Sequence, residues 1–140
     1  MVNPLSDIKQ YSPTFKIKQV VEFFERKNIG ITRPMIQNYI RSGLLPSPVS
    51  GRLYTHKHLA ALVMIDRLKT VFDIPTIKEA MAPFMDEEGL PLEIYTELLA
   101  KTEKLLTSFA GAAATTLEEE EDNGTLLTMF FAVGVKNSVV

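Results

Sequence analysis

No cysteine occurs among the 140 residues of this chain. Disulfides, thiolate-bound metals, iron–sulfur clusters and a cysteine nucleophile are thereby excluded together, and nothing calls for an oxidising compartment. Residues 1–11 lack the apolar core of a signal sequence, and the longest apolar stretch, near the C-terminus, falls far short of the roughly 20 residues that a membrane span requires. A cytoplasmic protein without a membrane partner is expected. Catalytic signatures are missing too: there is no Gly-rich phosphate loop, no HExxH, no GxSxG and no spacing that singles out a carboxylate pair. The expectation is therefore a protein that is not an enzyme and carries no cofactor. His56 and His58 stand two apart, on different sides of a helix and without a third ligand, so no metal is assigned to them. The acidic run Glu118–Asp122 lacks the alternating ligands and the glycine of a calcium loop and reads as a solvated linker.

What is present is an ordinary globular composition, 46% apolar and 23% charged, sufficient for a core that buries about two thirds of the unfolded surface. Its charge is unevenly divided. Between Lys16 and Lys69 ten basic residues face three acids, a local balance of +7, whereas from Thr70 onward four lysines face thirteen acids, a balance of −9. A basic half joined to an acidic one suits a polyanion-binding module followed by an assembly module.

Periodicity and punctuation divide the basic half into elements. Val20, Val21, Phe23 and Phe24 form a helical stripe that stops at Asn28 and Gly30. Thr32 is an N-cap candidate with Pro34 in the first turn, and Met35, Ile36, Tyr39 and Ile40 recur at helical spacing before Ser42-Gly43. Pro46, Pro48 and Ser50-Gly51, flanked by Leu44-Leu45 and Leu53-Tyr54, predict two short strands around a turn. Thr55 caps a third helix running to about Phe72, with an apolar face (Leu59, Leu62, Val63, Ile65, Leu68) and a polar one (Asp66, Lys69). A fourth starts near Pro75 and stops before Pro83. Met85 to Gly89 then reads as a domain boundary.

The stretch Ile-Thr-Arg-Pro-Met-Ile-Gln-Asn-Tyr-Ile-Arg-Ser-Gly-Leu-Leu-Pro from Ile31, followed by Gly51-Arg-Leu-Tyr-Thr and His58-Leu59, resembles the MerR regulators over about Phe15 to Phe84. More narrowly it resembles a bacterial branch of that superfamily described as a domain of unknown function. The resemblance implies a winged helix-turn-helix whose second helix enters the major groove of double-stranded DNA while the wing holds the backbone. Gln37 stands where MerR proteins usually have an arginine, and Asn38 replaces a neighbouring aromatic, so base contacts differ. With no cysteine and no large ligand domain, any effector is unknown.

On the second helix Arg33, Gln37, Asn38 and Arg41 share a side, and Gln, Asn and Arg are the side chains that pair bidentately with adenine and guanine. Arg52, Tyr54 and Lys57 are the expected phosphate contacts, which position without specifying. Tyr39 is expected to pack in the core while its hydroxyl reaches a phosphate. In the acidic half Leu92, Tyr95, Leu99, Thr102, Leu106 and Phe109 follow a three-four spacing, widened by Ile94, Leu98 and Leu105, which predicts a helical subunit seam. The alternative for this stripe is that it covers the chain's own first domain. Ala112 to Ala114 extend the helix, Asn123-Gly124 break it, and Leu126 to Val135, apolar on all sides, needs burial against the long helix or a second subunit.

The expected architecture is mainly α: a winged helix-turn-helix with a β-hairpin wing at residues 14–85, then a helical dimerisation or effector region at 90–140 with one long helix and a short apolar C-terminal helix. The expected function is homodimeric transcription regulation on a two-half-site operator. A DNA-bending recombination or phage accessory protein is an alternative, as is a winged-helix protein-interaction module without DNA binding.

Overall fold

The structure, a computed structural model, describes residues 3–111, of which 109–111 by their backbone alone, and residues 127–131. It is mainly helical, with one small antiparallel sheet. The side chain of Phe109, and the expectations made for Ala112 to Ala114, Glu118 to Asp122, Asn123-Gly124 and the flanks of 127–131, lie outside the described residues.

Helix α1 (Ile17–Arg26) buries Val20, Phe23 and Phe24. It starts where the Gln19 side chain accepts the Lys16 N–H at 2.8 Å and ends where Asn28, at φ 61°, turns the chain so that the Ile29 N–H reaches the Phe24 carbonyl, a left-handed helix stop that asparagine tolerates. Helix α2 (Arg33–Arg41) starts from Thr32, whose hydroxyl accepts the Met35 N–H, with Pro34 in its first turn. Its end is held by the Leu44 and Leu45 N–H groups, both donating to the Tyr39 carbonyl, and both leucines are buried.

That use of Leu44 and Leu45 corrects the hairpin expectation. Their N–H groups serve the end of α2, and Pro46 and Pro48 have none to offer a ladder, so they form no strand. The sheet instead joins β1 (Thr14–Phe15) to β2 (Tyr54–Thr55), with Phe15 opposite Tyr54. Between them, residues 49–53 form a tight loop closed by a single bridge from Val49 to Leu53, and its tip takes positive φ at Ser50 and Gly51.

Helix α3 (His56–Leu68) is capped by Thr55, and α4 (Ile74–Met81) by Asp73, whose carboxylate accepts the Thr76 N–H at 2.9 Å. Against the expectation of a third helix that reaches Phe72 and shows a polar face, α3 ends at Leu68, and every residue from His58 to Ile65 is buried. The cause is α5 (Leu92–Gly111), which lies along α3 and closes its second side. Tyr95, Leu98, Leu99 and Thr102 are buried in this contact, Leu105 nearly so, and Leu92 is partly buried against the same core, whereas Leu106 is half-buried. The seam expected of Leu92, Tyr95 and Leu99 is thus an intramolecular one. Leu127 and Phe131 are buried as well, the Phe131 ring meeting Phe84 with centroids 6.5 Å apart and Lys101 lying 4.7 Å over the Phe130 ring.

The boundary expected at Met85 to Gly89 is a braced turn. Leu90, fully buried, donates its N–H to the Lys57 carbonyl at 3.0 Å, and Gly89, at φ 136°, lies so close that a Cβ there would stand 2.4 Å from that oxygen. Residues before 14 also belong to the core: Leu5 and Ile8 are buried, Lys27 pairs with Asp7 at 2.8 Å, and the Tyr95 hydroxyl donates to Asn3. The regions expected at 14–85 and 90–140 therefore share a single core as far as they are described. Among the described residues no helix is long and apolar enough to cross a membrane.

These contacts set the stability of two pairs of variants. Leu99→Ala should lose about 2–5 kcal/mol as a buried leucine does, with Leu106→Ala much less affected, both measured by urea unfolding of the chain at low concentration. A seam between subunits would instead make the Leu99 effect depend on protein concentration. Gly89→Ala combines positive φ with a backbone clash and should destabilise by more than about 1 kcal/mol, whereas Gly30→Ala, which meets nothing within 4 Å, should be neutral or mildly stabilising.

Candidate nucleic-acid interface

Helix α2 has one buried side, Ile36 and Tyr39, and one open side. Arg33, Gln37, Asn38 and Arg41 are all exposed on it, as the four-residue spacing of Arg33, Gln37 and Arg41 requires in a helix. Arg52 is exposed in the 49–53 loop. The loop returns into β2 at Tyr54, whose phenol is raised by burial, with the Arg33 charge acting against that rise.

Charge pairing separates the basic residues into two sets. Lys27 is tied to Asp7, Lys57 to Asp86, Arg67 to Glu103 and Lys69 to Asp66. Arg33, Arg41 and Arg52 form no ion pair among the described residues, nor do Lys16, Lys18 and Arg26. Cations without an ion pair among the described residues thus include those of α1, α2 and the loop, while Lys9, Lys78, Lys101 and Lys104, elsewhere in the fold, form none either. Lys16 and Lys18, which were not among the expected site residues, are both exposed, and Lys16 follows directly on β1, at the root of the Arg52 loop.

Three expected contacts have other employment. Lys57 donates to the Asp86 carboxylate at 2.6 Å, and this bond holds the ammonium above its ordinary value and the Asp86 carboxyl below the usual range. Tyr54 is buried beside His58, its ring edge-on with centroids 5.3 Å apart, and burial raises its phenol. Tyr39 is 6% exposed, burial raises its phenol likewise, and the charges that act on it are Lys69 and Asp66 near the end of α3 rather than those of the open side of α2. These two tyrosines fasten α2 and the loop to the core.

His58 is a residue that sequence reasoning weighs only as a metal ligand, missing its structural role. It is fully buried, its Nδ1 accepts the Thr55 N–H at 3.0 Å, and its Nε2 donates to the Ser47 carbonyl at 3.1 Å. It occupies the third position of α3 behind a threonine cap, where Glu or Gln commonly closes a capping box, and that spacing was the available signal. His56, half-buried, donates to the Ser12 carbonyl.

Tyr39→Phe should leave both unfolding stability and any DNA affinity within about twofold of the parent, since the hydroxyl is not needed for packing, while Tyr39→Ala should lose about 3–5 kcal/mol of stability. Chemical denaturation of the two variants checks this, and a Tyr39→Phe variant that kept its stability but no longer bound nucleic acid would restore the tyrosine as a contact.

A family model described as Domain of unknown function (DUF1836) matches residues 7–98, and the chain belongs to that family. The match takes in Asp7, α1 to α4, the Arg52 loop and α5 as far as Leu98. No curated protein and no solved structure matches the chain.

Proposed function

We propose that this protein is a DNA-binding regulator of the MerR-like type, in which α1 and α2 act as a helix-turn-helix and the 49–53 loop as a short wing. The observation that carries the reading is the open side of α2, where Arg33, Gln37, Asn38 and Arg41 are exposed together and the arginines are unpaired among the described residues. In this reading α2 lies in the major groove. Gln37 and Asn38 meet base edges, Arg33 and Arg41 take guanine or flanking phosphates, and Arg52, with Lys16 nearby, holds the backbone. Tyr39, Tyr54 and Lys57 serve by fixing these elements.

The reading includes two copies on a two-half-site operator, since one nine-residue helix reads only a few base pairs. The subunits would meet through what the core leaves over on α5, from Leu106 onward, because Tyr95 and Leu99 are already buried. The protein would act in the cytoplasm without catalysis, and any effector would be sensed outside the α2 surface.

Binding to duplex DNA should weaken with salt. With about three phosphate contacts per subunit, a dimer gives a log-log slope of roughly −5, and a slope near zero contradicts the proposal. Arg52→Ala should weaken binding to specific and random duplexes alike and flatten the slope by about 1 for each phosphate no longer neutralised, whereas Gln37→Ala or Asn38→Ala should relax sequence preference by a factor of about 5 to 100. Competition titrations with selected and scrambled duplexes separate the two effects.

A further inference from the structure

The tie between the wing loop and the core passes through one imidazole. A backbone N–H only donates and a carbonyl only accepts, so His58, bonded to the Thr55 N–H through Nδ1 and to the Ser47 carbonyl through Nε2, is neutral with its proton on Nε2. It therefore joins three things: the cap of α3, the end of β2 and Ser47, on the strand of chain that leads into the 49–53 loop. The Tyr54 ring stands edge-on against it. Adding a proton to Nδ1 turns the acceptor of the Thr55 N–H into a donor, so that N–H loses its partner, and the acceptor left to the ring there is the Thr55 hydroxyl at 3.2 Å, which already takes the Lys57 N–H. Resting on the DNA-binding reading above, we infer that His58 is the positioning residue of the wing and that its protonation releases the loop and loosens the hold on DNA.

The charged and titratable groups around His58 do not all work in one direction. From the turn before α5 the Asp86 and Glu88 carboxylates favour the charged ring, as do the Ser47 and Pro46 carbonyls. Its own helix contributes the neighbouring Lys57 ammonium, already bound to Asp86, and β2 contributes the Tyr54 phenol. Burial outweighs these and holds the ring below its ordinary value of 6.5. The closed loop then binds fewer protons than the open one, so closure is fully supported above about pH 6.5 and is lost as pH falls toward the lowered value. An ordinary basic surface behaves in the opposite way, since positive charge acquired on acidification strengthens attraction to phosphate.

The test pairs the wild-type chain with His58→Gln. Gln19 holds the equivalent third position of α1 and accepts the Lys16 N–H at 2.8 Å, so glutamine can keep the cap of α3 without titrating. Amide exchange by NMR, expressed as protection factors, should show Leu53 and Thr55 losing about tenfold or more between about pH 7.5 and 5.5 in the wild type, with buried amides of α3 such as Leu62 and Met64 unchanged. The His58→Gln variant should show no such fall, and His56→Gln should behave as wild type. Loop protection that is flat in the wild type, or that falls equally in His58→Gln, overturns the inference. The wild-type chain alone gives a second reading: loop amide shifts must share their midpoint with the His58 ring, and separate midpoints overturn it even if His58→Gln does not fold. Affinity for a duplex should drop about threefold or more over the same range at fixed salt in the wild type alone. A rise on acidification overturns the functional half of the inference. Opening of the loop in a chain that binds no duplex at any pH supports the positioning role and overturns the DNA-binding reading.

Discussion

Every other element is placed by the all-round burial of α3. From His58 to Ile65 each residue is withdrawn from solvent, and a helix that is apolar on all sides is stable only when neighbours cover all of them. Strand β2 and α5 supply cover directly, and α1, α2 and residues 127–131 contribute to the same core cluster. Fully burying a leucine or isoleucine contributes about 1.5–3 kcal/mol, and α3 alone has Leu59, Leu62, Ile65 and Leu68 so placed. This requirement makes α5 part of the core rather than an arm.

The candidate interface is a by-product of the same constraint. With Ile36 and Tyr39 turned inward and Leu44 and Leu45 sealing the exit of the helix, α2 has a single free side, and its polar residues are on it. The loop is fixed at both ends: β2 pairs with β1, and His58 bonds to Ser47. Pairing of charge adds a division of labour. Acids from the negative part of the chain take up Lys57 and Arg67, through Asp86 and Glu103, whereas Arg33, Arg41 and Arg52 on α2 and the loop form no ion pair among the described residues.

The helices are legible in the sequence because their signals are local. Thr32 with Pro34, and Thr55 ahead of an apolar run, announce starts that need no knowledge of the rest of the fold. The three-four spacing from Leu92 is legible as a buried stripe, but spacing does not say what buries it, and α3 does so where the sequence suggests a second subunit. Leu44-Leu45 resemble a strand because two leucines before prolines look extended, while the bonds that decide their conformation run back to Tyr39. Strand β1 has only two residues, and Leu5 and Ile8 are too few to show a period, so the N-terminal part of the core leaves no pattern to read. At the site, the exposed side of α2 and Arg52 follow from helical phase and turn chemistry. The pairing of Lys57 with Asp86, 29 residues away, and the double bonding of His58 are tertiary facts with no counterpart in local sequence.

The central claim, that the open side of α2 and the 49–53 loop meet double-stranded DNA, is tested most directly by amide shift mapping of the labelled chain during titration with a short duplex selected from a random pool. The account predicts that the largest changes fall within 33–41 and 49–53, with those of α5 between Tyr95 and Thr102 small. Saturating duplex that leaves 33–41 and 49–53 unmoved, or that moves chiefly α5, would contradict it.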